Sequence, residues 1–129
     1  MFLRTVLMIL PLLASCSTAG DAAIQLAGSK WAFVSIDGQA AVSSRAMLTI
    51  EARRISATVG CNGLGGDLKI AGDRLITGPI IGTQMYCDGV MVQEHAVSEL
   101  LRKAPRYRVK GDQLTLTAAG HSAELTRLR

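Results

Sequence analysis

No two cysteines of this chain stand in the C-x-x-C spacing that lets a helix N-terminus activate one thiol, so a thioredoxin-like redox pair is excluded. Cysteine is scarce altogether. Cys16, Cys61 and Cys87 are the three, and together with His95 and His121 they offer none of the short ligand spacings of a zinc module. Aromatic residues are equally thin at 4%, and they are not interleaved with basic residues, which argues against a stacking platform for nucleic acid. The lone tryptophan, Trp31, reads as core rather than as a ligand platform. After the first fifteen residues no apolar run approaches the ~20 residues of a membrane helix. The carboxylates are scattered, and no sequence feature pairs two of them for acid–base work. The glycine-rich run from Gly60 to Gly66 lacks the Lys-Ser/Thr ending of a phosphate-binding loop. The sequence therefore leads us to expect no catalytic residue, no metal site and no cofactor.

What is present begins at the N-terminus. Arg4 precedes a short apolar stretch over residues 6–13, the pattern of a secretory signal and too short to span a bilayer. The stretch ends in Leu13-Ala14-Ser15-Cys16, which resembles a bacterial lipoprotein lipobox. That resemblance implies cleavage between Ser15 and Cys16, diacylation of the Cys16 thiol and acylation of the new amino terminus. Each buried methylene contributes ~0.8 kcal/mol, so two or more acyl chains form a lasting membrane anchor. Ser17 and Thr18, rather than an aspartate, follow the cysteine, which resembles an outer-membrane address, with the protein held at the periplasmic face. The competing readings are a plain secretory signal with an incidental cysteine and a buried N-terminal strand. The expected organisation is a signal peptide over 1–15, an acylated cysteine and short polar tether over 16–25, and one domain over 26–129.

Within that domain the apolar pattern mostly has period two. Trp31 and Phe33 fall on one face of a strand, with Ala32, Val34 and Ile36 on the other, before an Asp37-Gly38 turn. Leu48 and Ile50, then Ile55, Ala57 and Val59, mark the next inward faces. The glycines from Gly60 to Gly66 suit a tight corner or a bulge. Leu68 and Ile70 resume the alternation, and Pro79 interrupts the strand after it. The period then lengthens. Val90, Glu94, Val97 and Leu101 share one helical face with Leu100 beside it, Asp88 is the expected N-cap, and Pro105 ends the helix. Tyr107 with Val109, Leu114 with Leu116, and a last strand to Leu128 follow. Strands outnumber helices too heavily for an alternating α/β sheet. The expected class is α+β, mainly β: a bent antiparallel sheet or partial β-barrel packed on one helix.

An even pair, Cys61 and Cys87, in an exported domain favours a disulfide, with two buried free thiols as the alternative. A thiol nucleophile using Cys61 or Cys87 with His95 or His121 is the enzyme reading. The formal net charge of +4 is mild, and its main cluster is Arg102, Lys103, Arg106, Arg108 and Lys110. Arg106, Arg108 and Lys110 alternate, so on a strand they face solvent together, either as a solvated face or as a surface for anionic lipid or glycan.

Several short motifs occur in order: Leu26-Ala27-Gly28-Ser29-Lys30-Trp31, Gly60-Cys61-Asn62, Thr83-Gln84-Met85-Tyr86-Cys87, Glu94 on a helix, and Gly111-Asp112-Gln113-Leu114-Thr115-Leu116. Together they resemble the META domain of HslJ-like heat-shock lipoproteins. Gly65-Gly66 stands where that family often carries an aromatic-containing spacer. The resemblance implies a bent barrel around a helix, similar to the lipid-binding pilot lipoproteins of secretins. It implies no catalytic residues, and a role in envelope stress or maintenance. A cavity between helix and sheet would take an acyl chain or a partner peptide, and the protein would act alone or as an adaptor for another envelope protein.

Overall fold

Residues 26–129 are described by a computed structural model; the expected signal peptide, Cys16 and the tether to residue 25 lie outside the described residues. Ten strands follow in chain order: β1 (Ser29–Ile36), β2 (Gln39–Ala40), β3 (Met47–Ile50), β4 (Arg54–Thr58), β5 (Gly63–Ala71), β6 (Arg74–Thr77), β7 (Ile81–Gly82), β8 (Arg106–Lys110), β9 (Gln113–Ala118) and β10 (His121–Leu128). One helix, α1 (Met91–Arg102), separates β7 from β8. Eight strands close an antiparallel barrel in the order β1-β10-β9-β8-β6-β5-β4-β3, with β3 returning to β1. The short β2 and β7 add to β1 and β5 outside that ring. Closure removes the free edges that an open sheet would leave.

The alternation read from the sequence sets the inner face almost throughout. Leu48, Ile50, Ile55, Leu75, Leu114 and Leu116 are all fully buried, with no exposure, as is Trp31, whose indole Nε1 donates to Ser29 Oγ at 2.6 Å. Ser29 in turn donates to the Leu26 carbonyl, so the one polar atom of the indole is not left unpaired in the core. The Arg127 guanidinium stacks over the same ring at 4.3 Å.

The first strand departs from its expected pattern. Phe33 opposes Leu125 while Ser35 opposes Glu124, so Val34 is an extra residue in β1. A bulge of this kind inverts the parity of everything after it. Ile36 therefore turns inward at 2% exposure and Val34 outward at 51%, although strict alternation puts them on one face. The chain then reverses at Asp37 and Gly38, both with positive φ (50° and 77°), as a two-residue type I′ hairpin requires.

The glycine run is also not a simple corner. Gly63-Leu64-Gly65-Gly66 begins strand β5, and the segment after β6 crosses close above it. A Cβ on Gly66 would sit 2.8 Å from the Pro79 carbonyl oxygen, so only glycine permits that crossing.

The helix starts with Val90 as N-cap and without a side-chain cap, in place of the expected Asp88. The chain reverses at Gly89 (φ 80°), which leaves Asp88 outside the helix start. Ala96, Val97, Leu100 and Leu101 join Trp31, Leu75, Leu116 and Leu125 in one continuous buried cluster. Leu100 and Leu101 are equally buried, at 1% and 0%, so the apolar face is wider than the sequence periodicity indicates. Side chains thus occupy the space between helix and barrel where a ligand cavity was expected.

Candidate functional site

Cys61 and Cys87 are bonded to each other, with Cα atoms 5.8 Å apart. The bond joins the end of the β4–β5 connection to the segment that leads into α1. Both thiols are consumed, and a disulfide points to an extracytoplasmic location. His95 is exposed on α1, and His121 Nδ1 donates to Asp37 Oδ2 over 2.8 Å. His121 is thus engaged elsewhere than at the cysteine pair.

Next to the bond lies a polar cluster that sequence reasoning did not assemble. Asn62 is 2% exposed. Its Nδ2 donates to Glu94 Oε2 and to the Met85 carbonyl, each at 2.8 Å. Its Oδ1 accepts from Thr83 Oγ1 at 2.9 Å and from the Met85 backbone N–H at 2.8 Å. An amide side chain has two donor hydrogens and two acceptor lone pairs, so all four are used. The Asn62 backbone N–H adds a bond to Glu94 Oε1 at 2.8 Å, which makes the carboxylate bidentate. Glu94 sits in the first turn of α1, where the helix dipole favours a negative charge. Gln93 holds the other side: it accepts from the Val42 N–H at 3.0 Å and donates to the Ala40 carbonyl at 2.8 Å. Gly60, at φ 117°, lies so close to Ser43 that a Cβ there would come within 2.5 Å of it. The arrangement can fix a loop and a helix rigidly. It holds no nucleophile–base pair.

The segment pinned by the disulfide carries large apolar side chains outward. Ile81 is 76% exposed and Tyr86 79%, with Met85 exposed beside it and Val92 on the helix.

The basic residues divide into separate groups. Arg106, Arg108 and Lys110 are exposed on one face of β8, as their alternation predicts. Lys103 joins Arg106 in a surface groove that also contains Arg74, a residue outside the expected cluster. Arg102 turns away, donating to the Ile80 carbonyl at 3.1 Å and pairing with Glu99 at 3.7 Å. At the edge of this face Tyr107 donates to the Gly72 carbonyl at 2.8 Å. Burial, then the nearby Asp73 carboxylate, raises the Tyr107 phenol above its ordinary range and keeps it a neutral donor.

Among the described residues no group of three or more His, Cys, Asp or Glu side chains could hold a metal ion. No helix among them is long and apolar enough to cross a membrane.

Comparison with known proteins agrees with this architecture. One solved structure, an NMR structure of a protein without a stated function, matches with a TM-score of 0.70 at 20% identity, covering 81% of this chain and 92% of that one. A second NMR structure, of a protein from Burkholderia xenovorans, matches with a TM-score of 0.68 at 22% identity, covering 97% and 99%. At that identity the likeness concerns the fold. A search of curated proteins gives no significant match. The family profile of the META domain matches residues 24–129, which takes in the whole barrel, the disulfide and the Asn62–Glu94 cluster. The chain belongs to the META domain family.

Proposed function

We propose that this META-domain protein is a non-catalytic lipoprotein of the bacterial envelope, anchored through Cys16 at the periplasmic face of the outer membrane and serving envelope maintenance under stress. The observation that carries the reading is the Cys61–Cys87 bond. It fits an oxidising compartment and leaves neither thiol free to act as a nucleophile, which weighs against the thiol-enzyme alternative. The Leu13-Ala14-Ser15-Cys16 stretch supplies the anchor. The test is fractionation and complementation. The native chain should partition into detergent and restore heat and drug tolerance to a deletion strain. Cys16→Ala should remain an unprocessed precursor and restore neither. Native-like partitioning of Cys16→Ala would refute the anchor, and rapid alkylation of a cysteine in the unreduced protein would revive the enzyme reading.

A second reading, an adaptor for another envelope protein, is favoured by the outward apolar side chains of Ile81, Met85 and Tyr86 on a segment held rigid by the disulfide. Met85→Ser with Tyr86→Ser should leave the melting temperature unchanged yet reproduce the deletion phenotype. Full complementation by that double variant would remove the adaptor reading.

A further inference from the structure

The barrel closes between β6 and β8 on a single ladder pair, Arg74 opposite Arg106. Flanking bonds from the Leu75 N–H to the Pro105 carbonyl (2.9 Å) and from the Tyr107 N–H to the Asp73 carbonyl (2.8 Å) complete the junction. Residues directly opposed in an antiparallel pair project from the same face with Cβ atoms ~4.5–5.5 Å apart, and like charges there destabilise the pair. Both arginines are exposed, so the two cations share the outer surface. Closure alone gives no reason for two positive charges at the narrowest joint of the barrel.

Other groups converge on the same place. Lys103 enters from the C-terminal end of α1, and Thr117, the β9 partner of Arg106, adds a hydroxyl. With Ala118 and Ala119 they line an open groove of about 610 Å³. The cations are held in position by neutral carbonyls, Arg74 Nη1 by Ala104 at 3.0 Å and Lys103 Nζ by Ala119 at 3.3 Å. Carbonyls fix geometry without cancelling charge. Asp73, 3.9 Å from Arg106 Nε, is the carboxylate paired with this group, so three positive charges meet one negative.

We propose that the groove is a binding site for a phosphate-bearing ligand, held by Arg74, Lys103 and Arg106 with the Thr117 hydroxyl as a further donor. Guanidinium groups present paired N–H donors that match phosphate oxygens, and lysine adds a compact charge. The groove has the size of a small-molecule site (~300–1,000 Å³), so it accommodates the group that carries the phosphate as well. That group is either a soluble phosphate ester or the headgroup of an anionic phospholipid. Bound there, the anion relieves the Arg74–Arg106 repulsion and braces the joint. The site stands independently of the Cys16 anchor.

The test uses the full-length, isotope-labelled chain in nonionic detergent, with side-chain and backbone N–H signals followed by NMR. One arm adds inorganic phosphate against sodium chloride of equal ionic strength. The other adds phosphatidylglycerol to the micelles. Saturable shifts at Arg74, Lys103 and Arg106 are expected, with a rise in thermal midpoint larger than the screening effect of chloride at equal ionic strength. Half-saturation should weaken about tenfold in Arg74→Gln and in Arg106→Gln, whereas Arg129→Gln, beyond the far end of the β8–β9 hairpin, should titrate like the native chain. Shifts with free phosphate assign a soluble ester; shifts confined to phosphatidylglycerol assign the lipid headgroup. Chloride giving the same shifts, no shift in either arm, or native-like titration by both glutamine variants would overturn the proposal.

Discussion

At the Cys61–Cys87 corner every hydrogen-bonding atom of the Asn62 side chain meets a partner of complementary kind, whereas at the β6–β8 joint two arginines face each other across one ladder pair. Both places join parts of the chain far apart in sequence. The corner ties residues 32 apart through Asn62 and Glu94 and 26 apart through the disulfide. Its polar core is buried and covalently closed, and its one carboxylate, Glu94, is held by two hydrogen bonds from Asn62. The joint is exposed, narrow and positively charged. The corner is therefore built for rigidity, and the joint retains unspent charge that favours an anionic ligand.

The largest effect is expected inside the corner. Asn62→Asp replaces the two donor hydrogens of the amide nitrogen with one acceptor oxygen and sets a second carboxylate against the buried Glu94. An uncompensated buried charge of this kind costs ~3–5 kcal/mol, read as a shift in urea midpoint. Lowering the pH into the carboxylate range should recover part of the loss, because one added proton restores a donor. A loss below ~1 kcal/mol would mean that the cluster is more open to water than its burial indicates.

The disulfide comes next. Opening a loop of this length removes ~3.5 kcal/mol on the chain-entropy model. For a domain of about 100 residues that corresponds to a fall of ~14–28 °C in melting temperature. Cys61→Ser with Cys87→Ser should show this loss, become insensitive to reductant and keep its far-UV circular dichroism. Two free thiols in the native protein would break the comparison, since hydrogen bonds alone would then hold the corner.

How far these regions were legible in the sequence follows from the same contrast. Period-two apolar residues placed nearly every inner position, because burial on one face writes itself directly into alternation. The slip at Val34 left no such mark: a bulge is defined by the partner strand, and β10 lies some ninety residues away. The cysteine pair was readable from number and compartment, and Glu94 could be placed on a helix. Its bidentate grip on Asn62 could not, since nothing local requires a polar pair 32 residues apart. The exposed side of β8 was read correctly from the alternation of Arg106, Arg108 and Lys110. Arg74 was missed, because its place opposite Arg106 exists only once the barrel has closed. Arg102 was grouped with that cluster by sequence adjacency, but helical geometry turns it towards Glu99 and Ile80.

A smaller effect lies where β1 and β10 meet, and it tests whether satisfied surface charge behaves like the corner. Burial alone would raise the Asp37 carboxyl. The Ser122 N–H at 2.9 Å and the hydrogen bond and charge of His121 outweigh it, and the carboxyl titrates below its ordinary value. A depressed folded-state value contributes stability above the unfolded value of ~3.9, lost as pH falls through the folded one. The native chain should therefore lose stability below about pH 4 more steeply than Asp37→Asn, which keeps an acceptor and tolerates positive φ. The pair is partly exposed, so screening holds the difference at neutral pH to ~1 kcal/mol or less. Parallel acid profiles of the two proteins would show that this charge is not coupled to folding.

The smallest expected change has the opposite sign, and for that reason it probes the joint most directly. Arg74→Thr removes one of two like charges from the closing ladder pair and leaves a β-branched residue suited to a strand. The exposed bond from Arg74 to the Ala104 carbonyl is lost, which offsets part of the benefit. The net result should be a gain of ~0.2–0.5 kcal/mol in low salt, within the range of cross-strand charge effects. Salt supplies the control. Chloride screens exposed charges over a Debye length of ~10 Å at 0.1 M, so the native chain should gain stability as chloride rises and the variant should gain less. The two curves should converge at high chloride, where repulsion no longer distinguishes them. Equal slopes would mean that Asp73 already neutralises the joint, and the contrast with the disulfide corner would then be one of burial alone.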